Sequence, residues 1–569
     1  MRRRKAKVNK SAPVYALFEA GGRVIPPSNR SENFGDDRLY YSALKTEDDL
    51  IIPSRLLVAA ALIAVANSTA ASAAPISWNS GASFYTTRPF VRFMHAPPRP
   101  PAPTVRITMA DVMRARAGGW QQVTANPPFG ANGAGTALLM TDGTVMVQDN
   151  TSNWYSLGPD KNGNYVRGSW TTKASLPAGY GPLYFASAVL ADGKLIINGG
   201  EYNFFHGTET NLGAIYDPVA DAWTSVSPPS GWAEIGDASS VVLADGTYML
   251  GNCCYTSQAL LNEGSLTWMM TGLGKQDRNS EEGWTLLPNG KVLTEDVSTE
   301  PNSERYNPRT GAWSTAGAIP VDLINQSEIG PQVLRPDGTV FVAGASQHTA
   351  IFDTNTGRWS AGPDFPIVGG LQLDVTDGPA ALLTNGDVLL AASPGVYQAP
   401  ASMLVWDGTR LALVAAPPNA PNDASYNLRL LVLPTGQVLE TDGSDDVEIY
   451  TPGGAPDRNI APAVTAVPTS LTHGNTYVIS GVRFNGCSQA NAYGDDAQAA
   501  SNYPLVRIKN NATGHVFYAR THDHSYMGVA SNAVVSTMFD VPNAIELGAS
   551  SLVVVANGIH SPPVGVMIH

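Results

Sequence analysis

The chain has 569 residues, of which 43% are hydrophobic and 15% charged, and it carries 55 Gly and 42 Pro. That length exceeds one ordinary compact domain, and so much Gly and Pro excludes a helical bundle in favour of short strands joined by turns. A net charge of −13 argues against nucleic acid as a partner.

Leu56 to Ala66 reads LLVAAALIAVA, an apolar run of 11 residues preceded by Arg55 and followed by Ala71-Ser72-Ala73. This is the pattern of a secretory signal with a small-residue cleavage site. It falls short of the ~20 apolar residues of a transmembrane helix. Secretion, to the extracellular space or a periplasm, is therefore expected, with no stable membrane span after cleavage. Residues 1–73 form the extension and signal; so many polar residues precede the apolar run that the true start is expected inside them. Residues 74–117 follow as a Pro-rich linker, with APPRPPAPT at 96–104 extended.

A turn then recurs along the chain. It reads Asp142-Gly143, Asp192-Gly193, Asp245-Gly246, Asn289-Gly290, Asp337-Gly338, Asn385-Gly386 and Thr435-Gly436, at spacings of 50, 53, 44, 48, 48 and 50. Each lies between apolar runs, the signature of a tight hairpin in which both turn residues take φ > 0. A second motif follows in AIYDPVADAW, ALLNEGSLTW, ERYNPRTGAW and AIFDTNTGRW, ending at Trp223, Trp268, Trp313 and Trp359. This is a second hairpin, with a large aromatic to pack between neighbouring sheets. Two hairpins make a four-stranded sheet, and seven such sheets around an axis make a seven-bladed β-propeller over residues 118–454.

The seventh unit ends at Val447-Glu448-Ile449-Tyr450 without its Trp-bearing strand, whereas Gly119-Trp120-Gln121-Gln122-Val123 stands alone before the first unit. The orphan strand is expected to complete the last blade and so remove an exposed edge. After a Gly/Pro linker, residues 461–569 show short alternating strands of an Ig-like β-sandwich, so the whole chain reads as all-β.

Eight residues before each turn lies the far end of the innermost strand, about 26 Å away. Those positions are Ala134, Tyr184, Asp237, Glu281, Ile329, Asp377 and Asn427, with Glu328 and Tyr426 adjacent. Gathered at one mouth of the propeller, Asp237, Glu281, Glu328 and Asp377 would bind a cation or a polyhydroxylated molecule such as a carbohydrate. Any one of these acids reads equally well as solvated or as capping a turn; the group as a whole points to binding.

The kelch-type units, the trailing sandwich and the tyrosines resemble galactose oxidase and glyoxal oxidase, the copper-radical oxidases, over roughly residues 118–569. The resemblance implies one copper held by two tyrosines and two histidines, with one tyrosine cross-linked to a cysteine beneath a stacking aromatic. It assigns the cross-linked tyrosine to Tyr184, the stacking position to Tyr202, the second tyrosine to Tyr426 and a histidine to His522, with His524 as a rival. Tyr184 and Tyr202 would then be the catalytic pair, and Tyr184, Tyr426 and His522 the metal ligands. Asn427 stands where the family has its other histidine, and Ala134 where it has the cysteine.

The site is degenerate by this measure, and copper is doubtful. A secreted carbohydrate- or surface-binding propeller without copper-radical activity is the first reading. The alternative is a copper oxidase of sugars, aldehydes or alcohols, producing peroxide with altered ligation; a hydrolase or lyase using two mouth carboxylates is the third.

Three cysteines leave the pairing open between free thiols, a vicinal Cys253–Cys254 bridge and a bridge to Cys487. His206 is an exposed loop residue or a further mouth residue. Asp495 and Asp496 in YGDDAQ would suit calcium, and Asn511 heads a glycosylation sequon.

Overall fold

The computed structural model describes residues 118–494 and 498–569. The signal pattern, the linker and the Asp495–Asp496 pair lie outside the described residues. Among the described residues no helix is long and apolar enough to cross a membrane.

Seven propeller-like antiparallel sheets follow one another along the chain. The first joins Ala137–Leu139, Val145–Gln148, Trp154–Gly158 and Ser169–Thr172 in sequence order. The next five repeat that order as far as Leu411–Leu413. The seventh joins Arg429–Val432, Val438–Thr441 and Glu448–Thr451, and takes its outer strand from Gly119–Gln122. The pairing is antiparallel, Gly119 opposite Thr451 and Gln122 opposite Glu448, as the orphan strand led one to expect.

Each sheet also bonds to the next. Gln148 Nε2 donates to Pro182 O at 2.9 Å, Gly200 N to Gly236 O at 2.7 Å, and Gln258 Nε2 to Asn279 Oδ1 at 2.6 Å. Thr285 Oγ1 donates to Gln332 Oε1 at 2.7 Å, Asp377 N to Ile329 O at 3.2 Å, and Ser425 Oγ to Thr376 O at 2.9 Å. Thr441 Oγ1 then donates back to Gly135 O at 2.7 Å, from the seventh sheet to the first.

The hairpin turns differ from expectation in one respect. The glycine has positive φ in each, for example +76° at Gly143 and +78° at Gly436, but the residue before it does not. Gly143 N donates to Met140 O and Met140 N to Thr144 O, a type I turn closed by a glycine bulge. The Asp is selected for its carboxylate: Asp142 Oδ1 accepts from Thr144 N at 3.0 Å, and Asp192 Oδ1 from Lys194 N at 3.0 Å. Because this turn needs a left-handed residue at one position alone, Thr435 is tolerated in the seventh.

The tryptophans pack as expected. Trp223 lies 5.1 Å from Tyr216 and its indole N–H donates to Ala174 O, beyond the outer strand of the first sheet. Trp268 donates to Ser227 O, Trp313 to Gln258 Oε1 and Trp359 to Ser303 Oγ, in every case to the sheet before. Trp120, on the closing strand, donates to Ala415 O after the sixth sheet.

From Ala463 onward the strands form one hydrogen-bonded path around a separate core that includes Ile479, Phe484, Val506, Phe539 and Leu552. This part rests on the hairpin turns: Thr521 N donates to Thr141 O at 3.2 Å, His524 N to Ala191 O at 2.9 Å and Met527 N to Ala244 O at 3.0 Å. Asn485–Gly494 and Gln498–Tyr503 leave it and run against the innermost strands. Leu286 N donates to Gln489 Oε1, Val432 N donates to Asn491 Oδ1, and Tyr503 Oη donates to Leu139 O. Asn491–Ala492 adds a fifth strand to the sixth sheet, beside Ala380–Leu382.

In the seventh sheet Glu440 and Glu448 stand directly opposite each other, both buried. Burial first, and then negative neighbours led by Asp442 for Glu440 and Asp446 for Glu448, hold both carboxyls above their usual range, Glu448 up to about 8. Between the unfolded value of 4.5 and about 8 the folded chain therefore binds more protons than the unfolded one, so stability falls as pH rises through that window. Thermal melts from about pH 5 to pH 8 are expected to show a falling Tm, and Glu448→Gln, which keeps the shape without the charge, to flatten that slope.

Candidate functional site

The end of the sheets away from the hairpin turns gathers most of the expected residues. One carboxylate oxygen from each of Glu281, Glu328 and Asp377 lies within 4.8 Å of the others. Glu328 is fully buried and accepts a short hydrogen bond from Tyr397 Oη. Tyr397 packs edge-on against Tyr426 at 5.2 Å. The carbonyl of Tyr426 accepts from Arg429 Nη1 at 2.6 Å and from Tyr493 Oη at 2.6 Å. The Arg429 guanidinium sits 3.9 Å from the Tyr493 ring centroid and 5.3 Å from that of Tyr184. Tyr184 in turn meets Tyr202 edge-on at 6.1 Å. Carboxylates, aromatic faces and one guanidinium thus form a continuous band around this mouth.

The backbone is arranged to present them. Tyr184, Glu281 and Asp377 hold the same register in the second, fourth and sixth sheets, and all three have positive φ, at 50°, 61° and 42°. Such a conformation costs a non-glycine residue about 1–3 kcal/mol and persists where the surroundings fix it. The inserted stretch reaches the same place: a Cβ on Gly494 would lie 3.1 Å from Asp377 Oδ1, and one on Gly283 would lie 2.5 Å from Gly494 O.

Asp237, His206 and the cysteines have surroundings of their own. Asp237 gives its backbone N–H to Glu209, whose carboxyl burial pushes up to about 7. Glu209 lies against the Cys253–Cys254 pair, which is bridged as a vicinal disulfide, while Cys487 is a buried free thiol. His206 is exposed opposite Asn203, on a hairpin whose tip presents Phe204 and Phe205.

His522 ends a strand of the C-terminal part, bonded to Asp523 and Asp540, two residues before His524 meets the second hairpin turn. The structure does not bring His522 to Tyr184 and Tyr426: Tyr184 and Ala191 flank the strand Ala186–Val189 on opposite sides, roughly 23 Å apart if the chain between them is extended. His524 is buried at that same turn end, stacked on Tyr503, and burial holds its imidazole down to about 3. The C-terminal residue that does reach Tyr426 is Tyr493.

The side chain of Asn427 caps its own turn, accepting from Ala424 N at 3.0 Å, and Ala134 is fully buried against the seventh sheet. With an amide and a methyl at those two positions and His522 at the opposite end, this donor set does not fit a copper-radical centre. The acids that do converge stand too close to leave the ~6.5–9.5 Å of an inverting hydrolase. Oxygen-rich ligands, whether hydroxyls or a hard cation, match them better.

Tyr397, Arg429 and Tyr493 were not singled out from sequence. Arg429 had a signal, lying three residues beyond Tyr426 at the start of the same innermost strand; Tyr397 and Tyr493 come from loops with no repeat register.

No family model matches the chain. A stretch of 128 residues is 34% identical to the Kelch-like protein terF of Aspergillus terreus (strain NIH 2624 / FGSC A1156), covering 22% of this chain and 26% of that protein. The chain thus matches about a quarter of the length of this curated relative. Among solved structures, a catalytically inactive virginiamycin B lyase from Staphylococcus aureus aligns at 9% identity and a TM-score of 0.43, over 59% of this chain and 99% of that one. YCF48, solved with a bound peptide, aligns at 12% identity and a TM-score of 0.39, over 59% and 96%. Neither structural likeness bears on chemistry. The repeated four-stranded sheets and the kelch-like relative support a kelch-type β-propeller.

Replacing Glu281 by glycine removes the backbone strain together with one acid of the mouth. Urea unfolding is expected to show stability unchanged or raised by up to about 1 kcal/mol, while affinity for any ligand of the mouth falls.

Proposed function

We propose that the chain is a secreted seven-bladed kelch propeller, residues 118–454, carrying an Ig-like sandwich at 461–569, and that it binds carbohydrate at the mouth described above. The observation that carries this reading is the convergence of Glu281, Glu328 and Asp377 with Tyr184, Tyr202, Tyr397, Tyr426 and Arg429 on one end of the sheets. Aromatic faces suit the C–H face of a sugar ring, and carboxylates suit its hydroxyls. The bonds running from each sheet to the next and from the seventh back to the first support seven blades in a closed ring. The apolar run at 56–66 supports export.

Binding without copper-radical chemistry follows from the same residues, since Asn427, Ala134 and the placement of His522 weigh against the altered-ligation oxidase. The reading predicts retention of neutral oligosaccharides on a glycan array by the copper-free protein. Tyr202→Ala and Glu328→Gln are each expected to weaken that binding by about tenfold, or about 1.4 kcal/mol, in calorimetry. Copper-loaded protein is expected to release no peroxide from galactose, methylglyoxal or primary alcohols. Peroxide release, or an array with no hits, would overturn the proposal.

A further inference from the structure

Glu281 and Glu282 are neighbours in sequence but belong to two separate acid groups. Glu281 faces the mouth with Glu328 and Asp377, whereas Glu282 turns inward to Asp277 and Asp296. All three members of the inner group are buried, Asp277 and Asp296 at 2% exposure and Glu282 at 0%. One oxygen from each lies within 4.8 Å of the others. A calcium ion with oxygen ligands at about 2.3–2.6 Å spans that separation.

The protein's own donors leave this group short of positive charge. Lys275 Nζ bonds Glu282 Oε1 and Glu304 Oε2, both at 2.7 Å, so one ammonium serves four neighbouring carboxylates. Asp277 Oδ2 accepts from Ser298 N and Asp296 Oδ2 from Thr299 Oγ1. Asp296 Oδ1, by contrast, is buried and has no hydrogen-bond partner among the described residues. Burying an uncompensated carboxylate oxygen beside two further acids is costly, and a cation among them would offset that cost.

We propose that Asp277, Glu282 and Asp296 form a divalent-cation site, best matched to calcium, that holds the 276–282 segment and thereby the direction of Glu281. The ion supplies the charge that Lys275 alone does not, and it takes oxygen ligands without needing the imidazoles or thiolates this pocket lacks. The site stands whether or not the mouth binds carbohydrate.

The test uses the full chain, stripped with EDTA and then titrated with calcium chloride by calorimetry and thermal unfolding. Terbium luminescence, sensitised by the nearby Trp313, follows the same site. One ion per chain and a Tm raised by several degrees are expected. Asp296→Asn should lose the calcium-dependent rise and the terbium signal, and Asp277→Asn should do the same if Asp296→Asn does not fold. Glu281→Gln should retain both. Absence of calcium binding by the unaltered chain, an Asp296→Asn protein that still responds, or loss of the response in Glu281→Gln would each overturn the proposal; the last would move the ion to the mouth.

Discussion

Five of the seven sheets among the described residues are tied to the one before by an indole, from Trp223, Trp268, Trp313, Trp359 or Trp120. The outer strand of a sheet is narrow and half exposed, and left to itself it would offer an open row of backbone groups to any passing strand. Here it carries a tryptophan that packs on the aromatic of its inner neighbour, as Trp359 does on Phe352 at 5.0 Å and Trp120 on Tyr450 at 5.0 Å. The indole N–H then finds its acceptor on the preceding sheet. One side chain thus buries a large apolar surface, satisfies its own donor and fixes the angle between two sheets. Large aromatic side chains of this kind typically contribute about 3–5 kcal/mol when buried. The position of the mouth residues depends on this spacing, because they sit on strands whose mutual distance the tryptophans set.

The repeat made much of this legible. A glycine turn every 44 to 53 residues located the innermost strands, and equal steps back along them located Tyr184, Glu281, Asp377 and Tyr426 at one end. Strand length is nearly constant between the sheets, so a count of residues is a count of distance. The count fails where the chain leaves that register. His522 was placed by resemblance to a family motif, but the strand that carries it lies on the turn end.

The inserted stretch from Asn485 to Gly494, continued at Gln498–Tyr503, was illegible for a different reason. It is small and polar, with no alternation to announce a strand, and its conformation comes from donors and acceptors on the innermost strands. Asn491 shows the mechanism, with its Oδ1 accepting from Val432 N and its Nδ2 donating to Ala499 O at 2.8 Å. Side-chain amides replace the ladder that a hydrophobic pattern would have signalled. The vicinal bridge between Cys253 and Cys254 belongs to the same class, since adjacency in sequence allowed it without choosing it.

The strand that completes the seventh sheet lies at the other end of the propeller's chain, and Gln122 Nε2 reaches Asp446 across 324 residues. Bringing such distant segments together costs about 3 kcal/mol more chain entropy than closing a ten-residue loop. Six sheets can form from contacts between neighbours as synthesis proceeds, but the last must wait for a partner made first. Until residue 451 exists, Gly119–Gln122 has no edge to join, and the nascent molecule is an open arc. Closure of the seventh sheet is thus a contact between segments far apart in sequence, the kind of non-local pairing that slows folding.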